Sequence, residues 1–320
     1  MLRLLMLFAG GLLLVIQQWV YALPNNVQFI LFMTGILLVG IPHGAADLLV
    51  ASTNARVESR KFSSILFLAS YLLRLALFAA VLWFLPLAGN LLFIVFAAYH
   101  FGETDLHQFK TNTIAGKVFV FSYGLVVLGV ILLNHFDEVL PLYMQFESGK
   151  TYIQFIHFID QYRYVILSFT GLLFFVSCFV YFSLHRENSQ QQGVFLVRFA
   201  VILLILFHLP VILGFTFYFV FWHSLLSLKN VINYLRQNSV HSVKFILKQI
   251  GLYSVLAMAG ITLFGLTGSM FYNADAMTVY VFLGLAVLTA PHMGVMHEMY
   301  RSMRRSSTAP APADSVIKLL

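Results

Sequence analysis

The amino-acid sequence predicts an all-α fold, a polytopic integral membrane helix bundle with about ten transmembrane helices. Three observations carry that reading. Of the 320 residues, 60% are apolar, only 10% are charged and Phe alone occurs 33 times, with a mean hydropathy of +0.88, far from the balance of a soluble domain. The apolar residues fall in runs of about 20, the number a helix needs to cross the hydrocarbon core of a bilayer. Basic residues alternate between successive loops, as they do when cytoplasmic loops retain Lys and Arg.

Taken in order, the spans lie near residues 3–22, 27–50, 62–87, 90–107, 116–134, 163–184, 194–214, 216–235, 246–270 and 277–298. The first, LRLLMLFAGGLLLVIQQWVYAL, lacks a small-residue cleavage site and is read as a retained helix. The eighth turns polar after Leu228. Between spans five and six, FDEVLPLYMQFESGKTYIQFIHFIDQY is long and aromatic and suits an interfacial helix. Residues 1–305 are read as one helical domain and 306–320, rich in Ser, Ala and Pro, as a disordered cytoplasmic tail. No 20–50-residue repeat is visible, and the lone Cys178 allows no intramolecular disulfide.

Loop charge tests the count independently. Arg56, Arg60 and Lys61 follow span two; Lys110 and Lys117 follow span four; Arg186 follows span six; Lys229, Arg236, Lys244 and Lys248 surround the end of span eight; Arg301, Arg304 and Arg305 follow span ten. The loops after spans one, three, seven and nine carry no basic residue, and the loop after span five sets Asp137, Glu138 and Glu147 against Lys150. Both termini are therefore expected in the cytoplasm, with the chain in the inner (plasma) membrane. The net charge of +7 is distributed by this topology, which argues against a nucleic-acid partner.

Eleven histidines are present, and their places matter more than their number. His107, His135, His157, His185 and His241 fall at span ends or in loops and read as solvated or interfacial side chains. The others are His43, His100, His208, His223, His292 and His297. His43, His100, His223 and His292 sit on spans two, four, eight and ten, all running from outside to inside. They lie about 16, 10, 7 and 15 residues in, so at 1.5 Å per residue their depths differ by at most about 14 Å. Four helices can thus aim one imidazole each at a common point, as a metal or proton-handling site.

Carboxylates accompany them. His43 and Asp47 are four apart and His100 and Glu103 three apart, so each pair shares a helix face; Asp47 and Glu103 are candidates to orient the rings, while Asp105 points elsewhere. Arg74, deep in span three, needs an anionic partner such as Asp47, Glu103 or Asp105. Gly40, Pro42, Gly44, Gly102, Pro210, Gly214, Pro291 and Gly294 mark helix breaks of the kind tolerated around a protein cavity. Neutral imidazoles suit Fe, Zn, Cu or Ni, and the lack of thiolates argues against a Cys-rich site. Trp222 and Phe219, beside His223, are candidates to line a tunnel for an apolar substrate entering from lipid.

The segments GIPHGAADLL, AAYHFGETDL, LPVILGFTFYFVFWHSLLSL and TAPHMGVMHEMY resemble, in order and over most of the chain, the motifs of the Brp/Blh family of β-carotene 15,15′-dioxygenases. The resemblance implies a membrane enzyme that uses Fe(II) and O2 to cleave β-carotene at its central double bond into retinal. It implies His43, His100 and His223 as catalytic metal ligands. The family carries a second His one turn after the first in its HSxxH motif, where this chain has Ser227. The fourth ligand then falls to His292 or His297, or to none; His292 matches the depth of the others. Two other classes stay open on the residues themselves: a proton- or ion-coupled transporter, and a catalytically impaired carotenoid- or retinal-binding relative.

Overall fold

The computed structural model describes residues 1–144, 151–185, 189–239, 242–269 and 277–308. The chain is all helix among these residues: α1 (Leu2–Val20), α2 (Asn25–Val57), α3 (Ser64–Phe84), α4 (Pro86–Asp105), α5 (Ile114–Leu133), α6 (Phe136–Met144), α7 (Ile153–Leu184), α8 (Ser189–His208), α9 (Val211–Asn238), α10 (Val243–Ser269) and α11 (Met277–Thr308). The helix starts obey capping chemistry where the sequence supplies it, with the Ser63 hydroxyl accepting from the Leu66 N–H and Thr113 from Gly116.

Each expected span has a helix. Eight of them, α1 to α3, α5 and α7 to α10, are long and apolar enough to cross a membrane, making this a polytopic helical membrane protein. The expected spans four and ten fall on α4 and α11, which bring the polar residues His100, Glu103, Asp105, His292 and His297 into the bundle. The outer surface is apolar, with Ile65, Trp83 and Phe179 among many exposed side chains, an arrangement that lipid rather than water satisfies.

Several expectations change. The interfacial segment after span five is not one helix: α6 stands alone, and residues 153–162 join the 32-residue α7. Residues 145–150 of that segment and 309–320 of the expected tail lie outside the described residues. Around His43 the chain stays helical: Ile36–Gly40 is a π-helical turn and Ile41–Ala45 carries Pro42 near its start. Another π-helical stretch, Thr216–Ser224, holds His223. Such turns insert a residue into the helix and re-aim the side chains that follow. Pro291 is likewise accommodated inside α11.

Span seven does break, at Leu209–Pro210, with Gly214 on the following helix. A break leaves carbonyls and an N–H without partners, which is costly in lipid. Here side chains from other helices supply them. Gln18 donates to the His208 carbonyl (2.6 Å), Asn134 to Phe207 (2.9 Å) and His135 to Leu206 (3.0 Å), while Glu138 accepts from the Val211 N–H (2.9 Å). His135 and Glu138 also face each other at 3.5 Å. Burial opposes charge on both, but these contacts outweigh it and hold the His135 pKa above, and that of Glu138 below, the ordinary value.

The tightest packing joins α4 to α5. A Cβ on Gly102 would stand 1.9 Å from the Val120 carbonyl oxygen, and one on Gly124 would stand 1.8 Å from that of Ala98. Backbone itself fills the space, so only glycine fits at either position, the small-residue device by which membrane helices approach. This contact fixes α4, and with it His100, against the aromatic core of Phe119, Tyr123, Phe174 and Phe199.

Candidate active site

Four helices deliver one imidazole each to a common point. His43 on α2, His100 on α4, His223 on α9 and His292 on α11 are all at most 5% exposed. Their ring centres form a closed circuit: His43 to His223 5.7 Å, His223 to His100 4.8 Å, His100 to His292 5.3 Å and His292 to His43 4.9 Å. Phe219 stacks on His223 and meets His43 edge-on, and Phe101 tilts against His223, so the quartet is walled by apolar rings.

Almost nothing in the protein satisfies these rings. Both nitrogens of His100, both of His223 and Nε2 of His292 are buried without a hydrogen-bond partner. Buried polar atoms are nearly always paired, so this concentration of unpaired ring nitrogens points to something the site receives. His292 Nδ1 lies 2.8 Å from Asp47 Oδ1, and Asp47 Oδ2 accepts from the Tyr71 hydroxyl at 3.0 Å. A carboxylate only accepts, so Nδ1 carries the proton and Nε2 keeps its lone pair. That is how a metal-binding imidazole is usually held.

Asp47 was expected to orient His43 on its own helix; it reaches across to His292 instead. Glu103 similarly leaves His100 and pairs with His297 Nδ1 (3.0 and 3.2 Å) and Arg304 (2.8 Å). In both cases the partner is on another helix, because two side chains one turn apart need not turn their polar ends together. His297 is thereby directed to Glu103, while His292 joins the quartet. His208 is exposed at the end of α8, outside it. Ser227, one turn past His223, is fully buried.

Asp105 occupies a second buried polar centre nearby. Its Oδ2 accepts from the hydroxyls of Tyr123 (2.6 Å) and Tyr218 (2.9 Å), and the Trp222 indole N–H is shared between Oδ1 and Oδ2 (2.9 and 3.0 Å). Trp222 therefore points into this cage, whereas Phe219 stands beside the quartet. The sequence reading missed the tyrosines; Tyr218 and Trp222, four residues apart with one donor each, were the available signal.

Against His100 opens a cavity of about 750 Å3, bounded by α3, α4, α5 and α11 and lined by Arg74, Val95, Tyr99, Phe121 and Met293 among others. Neither Trp222 nor Phe219 lines it. Among the described residues, Arg74 takes none of the three expected carboxylates and bonds only to Ser70 on its own helix, at 3.2 and 3.4 Å.

A family model described as beta-carotene 15,15′-dioxygenase matches residues 34–300, a range that contains all four histidines. The chain belongs to this family. A beta-carotene 15,15′-dioxygenase from Uncultured marine bacterium 66A03 is 26% identical over 272 residues, covering 83% of this chain and 92% of that protein. No solved structure matches the chain. Membership in the beta-carotene 15,15′-dioxygenase family fits a buried imidazole cluster with a largely apolar cavity against one of its rings, His100.

Among the described residues, no three His, Cys, Asp or Glu side chains already stand as a ligand set around one point; the four rings meet edge to face, at 72–86°. Their spacing and chemistry nonetheless fit a metal ion. An imidazole–metal bond of about 2.1 Å puts a ring centre about 3 Å from the ion, and two such rings about 5 Å apart. The neutral, thiolate-free donors are those that iron accepts.

Proposed function

We propose that the protein cleaves β-carotene with O2 at the central 15,15′ double bond, giving retinal. The observation that carries this reading is the circuit of four buried imidazoles, with ring nitrogens of His100, His223 and His292 unpaired among the described residues, in a chain of the beta-carotene 15,15′-dioxygenase family. His43, His100, His223 and His292 would hold Fe(II), with Asp47 and Tyr71 fixing the tautomer of His292. The bound iron would activate O2 towards an electron-rich double bond.

The chain's own residues place the substrate and exclude water. Phe101 and Phe219 against the rings present apolar faces to a polyene, and the cavity beside His100 gives it a route from the bilayer. Asp105 holds Tyr218 and Trp222, and so the stretch of α9 that carries His223. The alternating loop charge supports a plasma-membrane protein with both termini in the cytoplasm. In the structure, Arg56 bonds to the Asn238 carbonyl, and Arg305 approaches Glu58 at 3.5 Å. The basic ends of α2, α9 and α11 are thus together, as that topology requires.

Expression in β-carotene-accumulating bacteria tests the reading. Loss of orange colour with retinal formation is expected, and His43→Ala should abolish both. Unchanged carotene in cells holding folded wild-type protein, or wild-type retinal yield from His43→Ala, would refute it.

A further inference from the structure

The cavity beside His100 is not simply apolar. Two cations line it, Arg74 from the middle of α3 and Lys117 from the start of α5. Among the described residues neither makes an ion pair within 4.0 Å, and Arg74 bonds only to Ser70. The one carboxylate in the lining, Glu103, is already engaged by Arg304 and His297. A guanidinium at mid-helix in a membrane span is costly and marks a functional contact.

Its position is specific. A Cβ placed on Gly294 would lie 3.2 Å from Arg74 Nη1, so the guanidinium sits over α11 at Gly294. Beside Tyr99, His100 and His297, the remaining lining, including Val95, Phe121 and Met293, is apolar. The cavity therefore joins apolar walls to a cationic, hydrogen-bond-donating corner, and it meets the histidine quartet at His100. The volume is that of a pocket for a single extended small molecule.

We propose that this cavity seats an apolar chain by its oxygen-bearing end, with Arg74 donating to a carbonyl or carboxylate oxygen and Lys117 adding charge at the rim. The inference rests on the proposed cleavage, because that reaction creates a carbonyl-ended polyene beside the quartet. A membrane fatty acid offers the same chemistry from another source. Arg74 then determines which chain ends are retained next to the site, and its removal frees them.

Binding of radiolabelled retinoate, retinol and palmitate to the full-length protein in nanodiscs tests this, with wild type compared with Arg74→Gln and Arg74→Lys. Arg74→Gln removes a charge from the bilayer, and its folding is checked by melting temperature. Retinoate affinity should fall at least tenfold in Arg74→Gln and recover in part in Arg74→Lys, while retinol affinity changes less than twofold. Equal retinoate affinity in wild type and Arg74→Gln, or equal losses for retinoate and retinol, would overturn the seat. Palmitate binding as tightly as retinoate, with the same dependence on Arg74, keeps the seat and assigns it to membrane fatty acid. Retinal formation measured on the same samples separates the two readings: Arg74-dependent binding without cleavage upholds the seat alone, and cleavage with Arg74-independent binding upholds the cleavage alone.

Discussion

Two buried polar centres lie side by side on α4 and α9, and they are built in opposite ways. Asp105 and Trp222 belong to one, His100 and His223 to the other, five residues and one residue apart along the same helices. In the Asp105 cage each carboxylate oxygen is met by donors from Tyr123, Tyr218 or Trp222. In the quartet five ring nitrogens of His100, His223 and His292 have no partner among the described residues. Burying polar atoms without hydrogen bonds costs about 1–3 kcal/mol each, whereas a satisfied network holds elements in one arrangement. The cage is therefore a structural joint. The quartet is a cost that only a ligand offsets, and the joint holds it in position.

The largest expected effect separates the two centres most sharply. His100→Ala should lower retinal formation by more than a thousandfold, about 4 kcal/mol of lost transition-state stabilisation, while the metal-free protein melts at the wild-type temperature or above. Retinal yield and melting temperature on one preparation decide this; a melting temperature far below wild type would place His100 among structural residues. Asp105→Ala should do the converse and destabilise the fold by about 3–4 kcal/mol, since three buried donors lose their acceptor. Denaturant or thermal midpoints in detergent measure it, and an unchanged midpoint would remove the distinction between the centres.

Smaller changes refine the picture. Asp47→Asn keeps an acceptor for His292 but removes the charge that raises ring basicity, and should weaken metal affinity about 10- to 100-fold, read by chelator competition. Tyr123→Phe deletes one hydrogen bond to a charged acceptor and should cost about 1.5 kcal/mol in the same melting assay.

The smallest effect concerns the break at Leu209–Pro210, where His135 and Glu138 act as a weaker cage outside the spans. The raised His135 pKa stabilises below its unfolded value near 6.5, and that contribution is lost as pH rises through the folded value. The lowered Glu138 pKa stabilises above about 4.5, and is lost as pH falls through its folded value. Wild type should therefore exceed Glu138→Gln in stability most between about pH 4.5 and 6.5, by less than about 1 kcal/mol because Glu138 is half exposed. A constant difference from pH 5 to pH 9 would contradict the pairing.

The sequence made some of this legible and left the rest hidden for a physical reason. Hydrophobic runs located the helices, since lipid demands about 20 apolar residues whatever the tertiary structure. Residue type and depth brought His43, His100, His223 and His292 together as candidates, and the structure places those four rings in one circuit. Hydrogen-bond partners were not legible. Asp47 and Glu103 looked paired with histidines on their own helices, but a carboxylate takes the donor that the bundle brings within reach, and here those were His292 and His297. The Asp105 cage draws on three helices, and the caps on the Pro210 break come from α1, α6 and the turn between α5 and α6, so neither has a local pattern to read. Glycine was ambiguous for the same reason: Gly102 and Gly124 are required by a neighbouring backbone, while Gly44 meets nothing within 4 Å.

Metal content tests the account's central claim most directly. Protein purified in detergent from iron-replete cells and measured by plasma mass spectrometry should carry about one iron per chain, with less than about one tenth of that in folded His100→Ala and His223→Ala, as follows if the unpaired imidazoles are the ligands. Wild-type protein without metal, or iron retained in both variants, would contradict it.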